Sequence, residues 1–309
     1  MIDFRGQAVI VTGSGRGLGR LYALELARRG AQVVVNDIGG SVLGAGFDAK
    51  VADEVVEEIT AAGGTAVASC DSVDSPEGGA AIVATALDAF GRVDAVISNA
   101  GIYGTAPFDE LTVEQWRKML QVHLDGAFYL CQPAFRAMKA QGYGRFVLVA
   151  SGIGAFGETG NAHYSSAKGG IIGLTNTLAV EGAAHGIKAN SILPIGFSRM
   201  VTETVGDDVP DLQKRFYDAI DPARVAPMVV FLASRACELT HHNISSGAGR
   251  YARAFMGLGP GWLAAPDTPV PSVDDIAAHI GEIVGTEGAW IPQSMGDEVV
   301  DLMKRLGLL

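Results

Sequence analysis

The sequence predicts an α/β fold, a doubly wound sheet of seven parallel strands followed by a C-terminal extension, and three observations predict it. Short β-branched apolar runs alternate with helical patterns over most of the 309 residues, which is how stacked βαβ units read in a sequence. A glycine-rich turn stands between the first such run and the first helical pattern. The chain is 48% hydrophobic and 18% charged, and a chain of this length buries roughly 75% of the surface its unfolded form exposes. Disordered and fibrous architectures are excluded by that composition.

The first strand is read at 8–11 from Val9-Ile10-Val11, and a helix at 18–29 from the leucines that follow the glycines. A second strand at 32–36 carries three consecutive valines, and a helix is read at 49–62. The third strand spans 65–69, and Pro76 opens a helix to Phe90. Strands at 95–97 and 146–149 flank one long helix, 112–138. A helix at 164–185 leads to a strand at 187–192. Asp221-Pro222, an acceptor followed by a proline at the first helical position, starts a helix to Ala233 before a last short strand at 244–246.

Two stretches interrupt this rhythm. Pro194 to Ile220 is longer than a connection needs and reads as a substrate lid, with Gly196 and Gly206 as hinges and Asp207-Asp208, Pro210 and Asp211 favouring turns over a packed helix. Arg199 within it could meet a substrate carboxylate or phosphate, or pair with Glu203. After Gly247 the pattern loosens around Pro260, Pro266, Pro269 and Pro271, with short helices at 273–283 and 293–306. The expected organisation is a main domain of 1–250, including the lid, and an extension of 251–309 packed on it.

The 23 Lys and Arg against 34 Asp and Glu leave a net charge of -11, which opposes binding to nucleic acid or to an acidic membrane surface. Cys70, Cys131 and Cys237 are odd in number and widely spaced, so neither a disulfide framework nor a thiolate zinc site is expected, and a reducing compartment fits. The sequence opens without a basic stretch leading into an apolar one, and no window approaches 18 apolar residues; a cytoplasmic location is the expectation. His241-His242 lacks a third ligand at a matching spacing, so a solvated turn is expected there and no metal.

The turn after the first strand reads Thr12-Gly13-Ser14-Gly15-Arg16-Gly17-Leu18-Gly19. Gly13, Gly17 and Gly19 let backbone approach a pyrophosphate, and Arg16, Gly17 and Leu18 lead into a helix whose free N–H groups and dipole stabilise its charge. Asp37 ends the second strand about twenty residues on, where a carboxylate accepts from both ribose hydroxyls and repels a 2′-phosphate. Arg16 argues the other way, since a guanidinium could pair with that phosphate. The balance predicts NAD, with NADP less favoured. Asp71, joined by Ser72 at the end of the third strand, is placed to accept from an adenine amino group, or simply to cap a loop.

Ser151 follows the fifth strand, and Tyr164 and Lys168 share one helix face at i and i+4. A phenol with a reference pKa near 10 is a poor base at neutral pH, and lowering it by about three units takes roughly 4 kcal/mol of preferential stabilisation of the phenolate. An adjacent ammonium and a cationic nicotinamide supply that. By themselves Tyr164 and Lys168 also fit an ordinary helix start with a solvated lysine.

The ordered set Thr12 to Gly19, Asn99-Ala100-Gly101, Ser151 and Tyr164-x-x-x-Lys168 resembles the short-chain dehydrogenase/reductase family, with its Rossmann fold, over residues 5–250. The resemblance implies Tyr164 as general acid/base, Lys168 on the nicotinamide ribose, Ser151 orienting the substrate oxygen, and Asn99, Ala100 and Gly101 lining the adenosine side. Pro194 and Gly196 fall where the family contacts the nicotinamide, although Pro194-Ile195-Gly196 replaces the usual Pro-Gly pair. Val35 to Gly40, Val122 to Phe128, Ser198-Arg199-Met200 and Pro292-Gln293-Ser294 are similar to a narrower branch, the (3R)-hydroxyacyl-CoA dehydrogenase part of peroxisomal multifunctional enzyme type 2 (17β-hydroxysteroid dehydrogenase type 4). His123 stands where most members carry an Asn that holds a proton-relay water; it is read either as holding that water or as a structural helix residue.

The function expected is interconversion of a secondary alcohol and a ketone on a large apolar small-molecule substrate, a 3-hydroxyacyl-CoA or a hydroxysteroid-like ring. An NADPH-dependent carbonyl reductase and a non-catalytic nucleotide-binding regulator are the alternatives. Tyr103, Phe156, Phe197 and Trp262 lie on loops where they could line an apolar pocket. Ile171, Ile172, Leu174 and Leu178 give the helix after Tyr164 more apolar circumference than one sheet face covers, so a homodimer or homotetramer is expected.

Overall fold

The computed structural model describes residues 1–196, 210–265 and 269–309, which form two compact units, Met1–Ala254 and Phe255–Leu309. In the first unit β1 (Ala8–Thr12), β2 (Gln32–Asn36), β3 (Thr65–Ser69), β4 (Ala95–Ser98), β5 (Gly144–Val149), β6 (Ile187–Ile195), β7 (His242–Gly247) and β8 (Arg250–Ala254) make one sheet in the order β3-β2-β1-β4-β5-β6-β7-β8. Every neighbouring pair is parallel except β7 with β8. The strand order reverses between β1 and β4, and the crevice outside the carboxyl ends of those strands is where such a sheet takes its ligand.

The seven parallel strands match the reading of the sequence, and the antiparallel eighth corrects it. Arg250 to Ala254 read as the beginning of the tail because it is polar and short, which is what a guarded sheet edge requires. The hairpin turns on Ala248 at φ 53° and Gly249 at φ 81°. Such a two-residue turn is signalled by Asn-Gly or Asp-Gly, and Ala-Gly carries no such signal.

Alternate strand residues face opposite layers. Ile10, Val34, Val96, Phe146 and Leu148 pack on one side with α3 (Pro76–Phe90), α5 (Gly126–Gln141) and α7 (Ala162–Gly182). Val9, Val11, Val33, Val35 and Val147 pack on the other with α1 (Gly17–Arg28), α2 (Lys50–Ala61) and α9 (Ala226–Ala233). Burial on both faces explains the unbroken valine runs.

The helix expected at 112–138 is divided. Thr112 and Gln115 form a capping box ahead of α4 (Val113–Leu120), a π-helical turn spans Gln121–Asp125, and α5 follows. A π turn widens the backbone locally without changing the apolar pattern on either side, so periodicity does not reveal it. It carries His123. The helix expected from Pro222 begins as a 3₁₀ turn, Pro222–Arg224, with the Asp221 carboxylate accepting from the Ala223 N–H at 2.8 Å.

Within the expected lid, Asp211–Ala219 is a helix, α8, and not the turn that Pro210 and Asp211 suggested. Both residues suit a helix start, since proline is tolerated at the opening and an acid in the first turn complements the dipole. The remainder of the expected lid, 197–209 with Phe197, Arg199, Glu203 and Gly206, lies outside the described residues. The apolar circumference expected of α7 is also corrected: Ile171, Ile172 and Leu178 are buried within the single chain. Phe128 on α5 and Val180 on α7 are exposed at 46% and 49%.

The second unit contains α10 (Val273–Ala278), α11 (Ile280–Ile283) and α12 (Met295–Arg305), with Leu258 bridged to Trp290. The helices expected at 273–283 and 293–306 are therefore shorter or broken. None of the described residues of this unit is buried.

Candidate active site

Gly13, Arg16, Gly17, Leu18 and Gly19 line a cavity of about 540 Å³ at the carboxyl ends of the central strands. α1 starts from Arg16 with no side-chain cap and no acid in its first turn, so its N–H groups and dipole are available to an anion. Contact dictates Gly19, where a Cβ would stand 2.1 Å from the Gly13 carbonyl oxygen, while Gly17 is favoured by its φ of 52°. The Asn99 amide donates to the carbonyls of Thr12 and Gly13 at 2.9 and 3.0 Å, and Thr12 Oγ1 accepts from the N–H groups of Asn99 and Ala100. These bonds tie the glycine turn to the end of β4.

Asp37 lies at the end of β2 and lines the same cavity. Its carboxylate accepts from the N–H of Gly15 at 2.8 Å and of Gly39 at 2.7 Å, so it is aimed by backbone on both sides. Arg16 is exposed at the turn. Asp71 and Ser72 also line the cavity. The Asp71 carboxylate accepts from Ser69 Oγ at 3.0 Å, and the Asn36 amide donates to the Asp71 carbonyl at 2.9 Å. Ser72 Oγ donates to Asp74 at 2.6 Å, and Lys118 Nζ lies 3.3 Å from the other oxygen of that carboxylate. The hydrogen bond from Ser72, with help from Lys118, holds Asp74 below the usual carboxylate range.

At the opposite end the cavity is lined by Ser151, Tyr164, Lys168, Pro194 and Gly196, with Asn99, Ala100 and Gly101 between. Ser151 caps α6 (Gly152–Phe156), its Oγ accepting from the Ile153 N–H at 3.1 Å. Tyr164 and Lys168 stand on the first turns of α7. Lys168 Nζ donates to the Val149 carbonyl at 2.5 Å and sits 5.8 Å from the centre of the Tyr164 ring. Lys168 is buried, and burial pulls its ammonium down to about 7. The Tyr164 residue is open to the cavity in part, but protein packed about its hydroxyl pushes the phenol up to about 12; a hydrogen bond with Ser151 acts in the opposite sense.

His123 is buried in the π turn and belongs to the cavity wall. Its Nε2 lies 2.7 Å from the Ile102 carbonyl and 3.1 Å from the Ile102 N–H, and Nδ1 has no hydrogen-bond partner. Burial first, then the charge of Lys168, holds its pKa well below the ordinary value, so the ring is neutral at pH 7. A Cβ on Gly101 would fall 2.3 Å from this ring, which accounts for the glycine of Asn99-Ala100-Gly101.

The residues assigned from the sequence to catalysis and to the nucleotide therefore line one cavity. Others were missed. Gly15 contributes through its N–H, Thr12 through its hydroxyl, and the segment after Asp37 through Ile38, Gly40, Ser41 and Gly44. The density of glycines from Gly39 to Gly46 was the available signal. Among the aromatics, Tyr103 lines the cavity, Phe156 is 78% exposed, and Trp262 belongs to the second unit, stacked 4.1 Å from His279. Among the described residues no cluster of His, Cys, Asp or Glu could hold a metal ion, and no helix is long and apolar enough to cross a membrane.

A family model described as short chain dehydrogenase matches residues 7–209. A short-chain type dehydrogenase/reductase of Mycobacterium tuberculosis is 43% identical over 291 residues, covering 94% of this chain and 98% of that protein. The peroxisomal multifunctional enzyme type 2 of Mus musculus is 46% identical over 248 residues, 80% of this chain and 32% of its own length. The structure of full-length peroxisomal multifunctional enzyme type 2 from Drosophila melanogaster superposes with a TM-score of 0.81 at 32% identity, covering 99% of this chain and 50% of that one. The chain thus spans about a third to a half of these multifunctional relatives and nearly all of the mycobacterial one. With the glycine turn, the tyrosine and lysine on α7 and Ser151 gathered at one cavity, the chain belongs to the short-chain dehydrogenase/reductase family, whose members are oxidoreductases that use nicotinamide nucleotides.

Proposed function

We propose that the protein is an NAD-dependent dehydrogenase that interconverts the secondary alcohol and ketone of a 3-hydroxyacyl-CoA. The observation that carries this reading is the shared cavity of Ser151, Tyr164 and Lys168 with Asp37 at its far end. The acyl-CoA assignment is supported by the likeness to the multifunctional enzymes and by the branch residues Val35 to Gly40 and Val122 to Phe128. Activity with NAD across 3-hydroxyacyl-CoA esters and hydroxysteroids tests it; turnover of hydroxysteroids alone, or of neither class, would overturn it.

The residues fit the cofactor: the uncapped N-terminus of α1 would hold the pyrophosphate, and the Asp37 carboxylate, itself held by two backbone N–H groups, would accept from the ribose. NAD, when bound, would supply the hydride acceptor and the positive charge of its nicotinamide. Tyr164 takes the alcohol proton at its phenolate oxygen, and Ser151 holds the substrate oxygen beside it. Burial disfavours the charged form of Tyr164 and of Lys168 separately. Side by side, phenolate and ammonium stabilise each other, which is how a phenol becomes a base near neutral pH.

NAD is expected to be preferred over NADP by at least tenfold in kcat/KM, about 1.4 kcal/mol. Asp37→Ala should narrow that gap and weaken NAD as well, since the N–H groups of Gly15 and Gly39 lose their acceptor. A wild-type preference for NADP would show that Arg16 outweighs Asp37.

The accompanying proposal on assembly is a homodimer or homotetramer, supported by the exposed Phe128 on α5 and Val180 on α7. Light scattering at micromolar concentration should return a multiple of the 32.0 kDa chain; a stable monomer would count against it. A cytoplasmic location is proposed with it, supported by Cys70, Cys131 and Cys237 all being unpaired.

A further inference from the structure

Tyr164 is flanked by two aromatic rings. Tyr103 meets it edge-on with ring centres 5.2 Å apart and planes at 86°, and His123 does so at 5.3 Å and 89°. These are edge-to-face contacts, the geometry that aromatic quadrupoles favour. The two rings arrive from different elements: His123 from the π turn, anchored to Ile102, and Tyr103 from the loop that follows β4.

The backbone of Tyr103 has a second engagement. Its N–H donates to the Val42 carbonyl at 3.0 Å, and Val42 is buried, with 5% of its surface exposed. Val42 belongs to the segment Ile38 to Asp48, which leaves β2 directly after Asp37 and lines the nucleotide end of the cavity through Ile38, Gly40, Ser41 and Gly44. The segment holds its own shape, with the Asp48 N–H on the Ile38 carbonyl at 2.9 Å and the Ser41 N–H on the Ala45 carbonyl at 2.8 Å. It is seated hard against the loop after β4, because a Cβ on Gly44 would stand 2.8 Å from Ile102 Cγ2. The residue that abuts the phenol is thus also the one on which this strap is latched.

We propose that Tyr103 is a positioning residue for Tyr164, and that it couples the aim of that phenol to the seating of the Ile38–Asp48 strap over the nucleotide. The inference rests on the dehydrogenase reading above. With the strap seated, the Tyr103 main chain is held, its ring edge is held, and Tyr164 is confined between Tyr103 and His123 in the direction of Ser151. Loss of the ring frees the phenol to swing, and misplacement of a reacting group by a fraction of an ångström is costly in rate.

Four proteins test this: Tyr103→Phe, Tyr103→Leu, Val42→Ala and the double variant Val42→Ala/Tyr103→Leu. Each is assayed for kcat with NAD and 3-hydroxybutyryl-CoA and for NAD affinity by fluorescence titration. Tyr103→Phe keeps the ring and should stay within about twofold of wild type in kcat, while Tyr103→Leu should lose about tenfold in kcat with a smaller change in KM. Val42→Ala should weaken NAD and lower kcat about threefold, and in the Tyr103→Leu background it should weaken NAD without a further fall in kcat. Should Tyr103→Leu fail to fold, Tyr103→Met carries the same question. Unchanged kcat without the ring, or kcat losses that multiply in the double variant, would overturn the proposal while leaving the dehydrogenase reading intact. Absence of turnover in the wild type on any alcohol tried would sink both.

Discussion

Tyr164→Phe is expected to lower kcat by about a thousandfold or more while leaving NAD affinity nearly unchanged, because the substitution removes one hydroxyl and only proton transfer depends on it. The ring remains, so its edge contacts with Tyr103 and His123 and its place over Lys168 survive. The variant should therefore fold and bind as wild type does. Without ligand the phenol sits at about 12, far above working pH, so turnover depends on the charges that bring it down. Single-turnover kinetics beside NAD titration separates the two quantities. Substantial residual turnover would refute the acid/base role.

Lys168→Met should abolish most activity and at the same time stabilise the ligand-free fold. Lys168 is buried with a single donated bond, to the Val149 carbonyl, and burial lowers its ammonium from 10.5 to about 7. A base whose folded pKa lies below its unfolded value weakens the fold wherever the unfolded chain holds the proton, because folding must then either bury the charge or give the proton up. The cost is complete below about pH 7, shrinks as pH rises, and is gone above 10.5. Near pH 7 it approaches about 5 kcal/mol. An apolar side chain of similar length avoids it, and recovering even part of that cost should raise the melting temperature of the cofactor-free protein by several degrees at pH 7. The difference between variant and wild type should narrow toward pH 10. A lower melting temperature for the variant at pH 7 would mean that the lysine is better solvated or better paired than its surroundings imply.

Much of the fold was legible because a sheet buried on both faces forces continuous apolar strands, and Val33-Val34-Val35 can scarcely be anything else. The limits of reading arose where the signal is not periodic. β8 begins after an Ala-Gly turn that no turn rule flags, and its polar residues suit an edge as well as a coil. The π turn at Gln121–Asp125 leaves the surrounding apolar pattern unchanged. α8 was obscured because proline and aspartate mark turns and helix starts alike.

The candidate site divides along the same line. Residues that act through their own chemistry at fixed spacing could be read directly: the glycines of 13–19, an acid at the end of the second strand, a tyrosine and a lysine four apart. Asp37 also shows what spacing omits, since its two backbone donors come from the turn behind it and the strap ahead of it. Ile102 holding His123, Val42 holding Tyr103, and Asp74 drawing in Lys118 all join residues far apart in the chain.

The sequence by itself determined the seven parallel strands, the glycine turn after the first of them and the candidate reacting groups, because each is written in local pattern: strand period, helix period and residues within a few positions of one another. Only the tertiary structure decided the environment of those groups. Lys168 near 7, Tyr164 near 12 and a neutral His123 follow from which strands and helices close around them. Desolvation and the approach of a distant ring depend on packing in three dimensions, and a linear pattern does not encode them.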